Sequence, residues 1–424
     1  MKKKITTTIM LLLSVLSAGA QTVSIEQCQQ WAEANYPLIH RYELLRQTET
    51  FTLAGIQRGW LPQIGVTAQA TLQSAVPEYP TVLSDMLKQM GQDLKGISPM
   101  QYRAAVDVQQ TLYDGAAIAS QRRMTEAADA VQSAAIDVQI YALRERVDNL
   151  CFCILLLDQY LLLNAEKQNT LTANLTKLRI LHEGGVAMQS DVDALEAELL
   201  TARQQHTDLE AQRETFLTVL RLFTGQELEA VARPTVTLKD AGERPELHLF
   251  NRQLALVDAR QRMLDTALLP RVGLFAQGYY GYLGMNMFRD MMKRTPTLNG
   301  IIGIKASWNI SALYTRKNDL RKLATERQTI ANDRDTFLFN QRLQSQQEDS
   351  HVVRLRRLIS EDDSICRLRR SVREAAEAKL EAGTIDVSVL VQEISRENQA
   401  ALSRSVHEIE LLQHQFKSYY IKGE

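Results

Sequence analysis

The chain has little of what interrupts a helix. Its 424 residues include nine Pro and nineteen Gly, gathered at a few points. From Tyr113 to His182 there is no Pro and Gly115 is the only Gly; from Leu313 to Ala382 there is neither. Seventy residues of helix extend roughly 100 Å, whereas helices of globular proteins average about 11–12 residues. Rods of that length hold only by packing along one another, so coiled-coil pairing is expected. Cysteine is also scarce: four are present, none in a CxxC pair. Cys151 and Cys153 fall on different faces of a helix, and Cys28 and Cys366 are remote in sequence. Buried free thiols are expected rather than a disulfide framework.

Other absences narrow the function. The formal net charge is −1, which does not favour a nucleic-acid partner. There is no HExxH, no GxSxG and no P-loop. Gly278, Gly281 and Gly284 have GxGxxG spacing but lie in a strand and loop, not at a strand-to-helix turn. His407 and His414 lie on one helix face, where packing or solvent exposure is expected rather than a metal. No enzyme activity, cofactor or metal is therefore expected. Beyond the first twenty residues no segment approaches the roughly 20 apolar residues of a spanning helix. The best, Leu150 to Leu163, is interrupted by Asp158.

Residues 1–20 read as an export signal. Lys2, Lys3 and Lys4 precede an apolar stretch from Ile9 to Leu16, and Ser17-Ala18-Gly19-Ala20 supplies the cleavage site before Gln21. Cleavage would take the net charge to −4. An exported chain without a spanning helix is either soluble or part of a β-barrel.

The remainder reads as one unit written twice. Pro37 and Pro245 are 208 residues apart, as are Pro62 and Pro270; Leu112 and Ile310 are 198 apart, as are Gly185 and Gly383. One indel of ten residues, in the loop between the strands of the first copy at 75–100, accounts for both offsets. The first repeat is placed at 21–225, with strands at about 63–74 and 101–112 and a helical hairpin at 113–223. A linker, the equatorial region, occupies 226–243. The second repeat is placed at 244–424, with strands at about 270–283 and 300–310 and a hairpin at 313–420. Leu195, Leu199, Ala202, His206, Leu209, Arg213, Phe216, Leu220 and Phe223 step by 4 and 3, with His206 and Arg213 interrupting the stripe. Gly184-Gly185 and Gly383 are expected to turn each long helix back on its partner. Glu361-Asp362-Asp363, between groups of Arg, is read as a solvated face with inter-helix pairs, or alternatively as a charged tunnel lining.

The four strands alternate. Ile64, Val66, Ala68, Ala70 and Leu72 oppose Gly65, Thr67, Gln69 and Thr71, although Gln110 in the second strand and Phe275 and Tyr279 in the third break the pattern. Strands of about ten residues match a bilayer crossing, and Trp60, Tyr102, Tyr279, Tyr280 and Tyr282 lie near strand ends, as at a membrane interface. Asp107, Lys305 and Asn309 are expected to face a barrel lumen. Four strands leave open edges, which lipid does not tolerate. Three copies would close a barrel of twelve.

The ordered motifs resemble those of TolC-like outer-membrane efflux proteins. They are Ser24-Ile25-Glu26-Gln27-Cys28 with Ala32 and Asn35-Tyr36-Pro37; Arg58-Gly59-Trp60-Leu61-Pro62-Gln63; Leu112-Tyr113-Asp114-Gly115; and the two Gly turns. The resemblance covers nearly the whole chain after residue 20. It implies a mixed fold of coiled-coil helices and transmembrane strands: a homotrimer with a 12-stranded barrel in outer-membrane lipid and a helical tunnel across the periplasm. It implies the outer-membrane duct of a tripartite efflux or type I secretion system, working with a periplasmic adaptor (membrane fusion protein) and an inner-membrane RND or ABC pump. The adaptor-docking tips would be Glu183, Gly184, Gly185, Val186 and Ala187, with Ala382, Gly383, Thr384 and Ile385. The periplasmic entrance would hold Asp191, Val389 and Gln392; the family carries aspartates where Val389 and Gln392 stand, and Leu380 and Ile385 replace its Tyr and Arg links. The alternative is a periplasmic coiled-coil adaptor or scaffold without a pore.

Overall fold

A computed structural model describes residues 22–78, 80–91, 95–235 and 242–423. The expected signal at 1–20 and part of the 226–243 linker lie outside the described residues. The elements are β1 (Thr22–Val23), α1 (Ile25–Asn35), α2 (His40–Gln57), β2 (Gln63–Leu72), α3 (Thr81–Gln89), β3 (Met100–Tyr113), α4 (Ala117–Glu183), α5 (Gln189–Thr224), β4 (Ala230–Val231), α6 (Pro245–Thr266), β5 (Arg271–Tyr282), α7 (Met287–Met292), β6 (Thr297–Ser307), α8 (Ala312–Glu381) and α9 (Val387–Lys422). They form two units: residues up to Glu43, Ser133–Phe250 and Asn332–Glu424 in one, Leu44–Gln132 and Asn251–Ala331 in the other.

The first unit holds two apolar clusters. Ser24 opens α1 with a capping box: the Gln27 N–H donates to Ser24 Oγ (3.2 Å) and the Ser24 N–H to Gln27 Oε1 (3.3 Å). This orients Ile25, Cys28 and Ala32 inward, against Val147, Cys151, Phe152 and Ile154 of α4 and Leu217 and Leu220 of α5. Asn35 donates from Nδ2 to the Leu222 and Phe223 carbonyls (3.2 and 3.1 Å), satisfying acceptors left over at the end of α5. β1 and β4 pair in parallel beside this cluster. The sequence reading had only four strands, because two residues are too few to show alternation.

The second cluster joins both helical hairpins. Leu171, Leu175 and Leu178 of α4 meet Val192, Leu195, Leu199 and Ala202 of α5, and Ala376, Val387, Leu390 and Ile394 of α8 and α9. Farther along, the α8–α9 seam is polar. Asp362 meets His407 (2.6 Å), Asp363 meets Arg404 (2.8 Å), Glu397 meets Arg373 (2.5 Å) and buried Glu348 meets both His414 (2.5 Å) and Lys417 (3.1 Å). Within the acidic run at 361–363, Asp362 and Asp363 thus make inter-helix pairs and Glu361 is exposed. Asp158 and Arg213, each an interruption of an apolar stripe, satisfy one another at 2.5 Å.

Contrary to the sequence reading, α4 contains a stretch long and apolar enough by composition to cross a membrane. Half of that stretch is buried inside the protein, as expected of a core helix.

The second unit is built on one antiparallel sheet in the order β2-β3-β5-β6. The β3–β5 pairing joins the first pair of strands to the second, with a register shift between Thr111 and Tyr113. Asp114 is buried and accepts from the Ala116 and Ile118 N–H groups (2.9 and 2.7 Å), starting α4. Gly115 has φ +70°, and a Cβ there would lie 2.8 Å from Leu269 Cβ. Among the described residues β2 and β6 each pair on one side only, so the sheet is open. β6 ends at Ser307, not 310, and the connections expected to be loops contain α3 and α7. The Trp308 indole N–H donates to the Leu268 carbonyl (2.9 Å), which accounts for the chain leaving the strand there.

Candidate functional sites

The two hairpin turns are built alike. Each long helix ends in a Gly with left-handed backbone, Gly185 at φ +75° and Gly383 at φ +67°. The Val186 N–H returns to the Leu181 carbonyl (2.8 Å) and the Thr384 N–H to the Lys379 carbonyl (3.0 Å), the same six-residue closure in both turns. Glu183, Gly184, Gly185 and Val186 are exposed, as are Ala382, Gly383 and Thr384. Ala187 and Ile385 are half-buried against the shared cluster, so both turns rest on one apolar base, with Leu380 also packed there. Asn174 donates to Glu377 (3.0 Å) and Lys177 pairs with Glu381 (2.7 Å), tying α4 to α8 just behind the turns.

Asp191 is engaged locally: its carboxylate accepts the Met188 N–H (3.1 Å) and starts α5. Val389, at the matching position of α9, is 40% exposed, and Gln392 is exposed. The start of α9 follows Asp386 without a side-chain cap.

The sheet has two unlike faces. On one, Asp107 accepts from Gln277 Nε2 (2.5 Å) and Thr67 Oγ1 (3.3 Å), and Arg103 lies over the Tyr279 ring at 5.9 Å. Asp107 and Lys305 line a depression of 670 Å³ with Arg271 and Asp114. Phe275 and Tyr279, which broke the alternation, belong to this face; a Cβ on Gly303 would lie 2.9 Å from the Phe275 ring, so Gly303 makes room for it. Asn309 is not on this face as expected. It lies past the end of β6, accepting from Ser311 Oγ (3.0 Å), because the chain turns at Trp308.

The other face is apolar and bare. Ile64, Val66 and Leu72 of β2, Val106 of β3, Leu274 of β5 and Leu298, Ile302 and Ile304 of β6 are exposed, Ile302 by 77%. Gln110 is accommodated there because its Nε2 donates to the Trp60 carbonyl (2.6 Å) at the strand end.

Two groupings were missed from sequence. Arg244, 7% exposed, lies 5.2–5.3 Å over the rings of Tyr141, Phe337 and Tyr420 and pairs with Glu246 at 2.5 Å. Cys28 and Cys151 lie buried in one core cluster, Cys151 one turn of α4 from Asp148. No sequence period links positions so far apart. Among the described residues no group of three or more His, Cys, Asp or Glu is placed to hold a metal ion.

Solved structures share this arrangement. The outer-membrane channel OprN superposes with a TM-score of 0.68 at 15% identity, over 94% of this chain and 90% of OprN. The Campylobacter jejuni CmeC outer membrane channel gives 0.64 at 11%, over 96% and 90%. The Vibrio cholerae outer membrane protein VceC gives 0.66 at 10%, over 93% and 95%. No protein-family model and no curated protein matches the chain. The resemblance read from the sequence holds at the level of the fold: this chain is folded as these outer-membrane channels are.

Proposed function

We propose that the chain is the outer-membrane duct of an export system, a passive homotrimer whose sheets join in lipid and whose hairpins reach into the periplasm. The observation that carries this is the sheet of the second unit. One face exposes apolar side chains across all four strands, and among the described residues both edge strands lack a partner on their outer side. In water such a sheet is an aggregation hazard. In lipid the apolar face is at home, but the edges must be paired, and a ring of copies does this. The polar face with Asp107 and Lys305 then borders the channel.

The Gly185 and Gly383 turns are the docking surface for a periplasmic adaptor, which in turn engages an inner-membrane RND or ABC pump. Asp191, Val389 and Gln392 stand at the periplasmic entrance. The energy for export comes from the pump. The similarity in fold to OprN and CmeC supports this reading.

The test is carbonate extraction of isolated membranes, followed by sizing and planar-bilayer recording of the detergent-purified protein. The expected result is a carbonate-resistant trimer that opens conducting pores. A monomer released by carbonate and silent in bilayers would replace the duct with the periplasmic scaffold reading.

A further inference from the structure

We propose that Cys28 and Cys151 become a disulfide during export, tying α1 to α4. The inference rests on the export reading above, because a disulfide persists only in an oxidising compartment. The two thiols are each 0% exposed and share one core cluster. Their register is held from both sides. Gln29 donates to Asp148 at 2.6 Å, and Arg144 pairs with Glu33 at 2.6 Å, so α1 runs antiparallel to α4 with Cys28 delivered to Cys151. Cys153 and Cys366 are only half-buried.

The chemistry is an exchange with the disulfide of an exported dithiol–disulfide oxidoreductase. The Cys28 thiolate attacks one oxidant sulfur and breaks the oxidant S–S bond, leaving a mixed disulfide and an oxidant thiolate. The Cys151 thiolate then attacks Cys28 Sγ, forming Cys28–Cys151 and releasing the second oxidant thiolate. The chain loses two electrons and its two thiol protons, and the oxidant gains them as a dithiol. No oxidant reaches the pair once the core is closed, so the exchange precedes the docking of α1.

The test is to quench cells in acid, separate the membranes, and alkylate the denatured chain with N-ethylmaleimide without reductant. Mass spectrometry of the outer-membrane fraction should find two labels per chain, on Cys153 and Cys366. Cys28 and Cys151 should be recovered as one cross-linked peptide pair, two hydrogens lighter than the reduced peptides. Reductant before alkylation should raise the count to four. Full-length chain in the outer membrane with Cys28 and Cys151 both labelled, or with either bridged to Cys153 or Cys366, overturns the disulfide and leaves the duct standing. Uncleaved chain confined to the cytosol overturns the export reading and the disulfide with it.

Discussion

Replacing Asp148 by Asn should make the protein more stable, by an amount that grows with pH. Asp148 lies on α4 with 8% exposure, its Oδ1 accepting from Gln29 at 2.6 Å. Burial dominates and lifts its carboxyl to about 7; the Gln29 hydrogen bond opposes the rise, Glu26 adds to it, Arg144 opposes it and Glu145 adds to it. The unfolded chain releases this proton near the ordinary value of 3.8. Between those values folding takes up a proton, so the contribution to stability is full below pH about 4 and is lost as pH rises through about 7. A shift of about three pKa units corresponds to roughly 4 kcal/mol once the group is ionised in both states. The Asn variant keeps the shape and the acceptor for Gln29 but carries no charge at any pH. Its advantage over the parent should therefore grow by roughly 2–3 kcal/mol between about pH 5 and pH 8. Denaturant unfolding of both proteins in detergent, followed by circular dichroism across that range, reads this directly. Parallel pH profiles for parent and variant would refute the reasoning.

Three further outcomes test the assembly. Gly185→Glu and Gly383→Glu meet no atom within 4 Å of the new Cβ and carry only the cost of left-handed backbone, about 1–2 kcal/mol. Both variants should remain trimeric by sizing yet fail to export, and normal export would remove the turns from the docking role. Ile302→Lys places a charge on the bare face of β6. It should cost about 2–4 kcal/mol if that face meets the bilayer midplane, seen as loss of heat-resistant trimer on gels, and nearly nothing if it meets water. A double-mutant cycle on Asp158 and Arg213, neutralised singly and together, should give a coupling of about 1–3 kcal/mol in unfolding experiments, given their 2.5 Å contact and partial burial; zero coupling would make them independent surface charges.

What could be read from the sequence was whatever obeys a local rule. The lengths of α4 and α8 follow from the absence of Pro and Gly, and the turns at Gly185 and Gly383 from its return. What could not be read depends on a partner distant in the chain. Asp158 and Arg213 each looked like a flaw in an apolar stripe until the fold set one against the other. Gln110 looked misplaced on an apolar face until the Trp60 carbonyl supplied its acceptor. Asn309 continued the alternation on paper, but the hydrogen bond from Trp308 to Leu268 takes the chain off the sheet two residues earlier. Arg244 directly precedes Pro245, yet its aromatic surround draws on α4, α8 and α9, which no single window contains.

The even number of strands per copy has a consequence for how copies can meet. In the order β2-β3-β5-β6 every neighbour runs opposite to the last, so the outermost strands point in opposite directions. When β6 of one molecule comes alongside β2 of the next with the same orientation, the joint is antiparallel, like every pairing already within the sheet. In the proposed trimer, parity would thus make the seams between molecules chemically the same as the interior rungs. A copy with three or five strands would force a parallel mismatch at every seam.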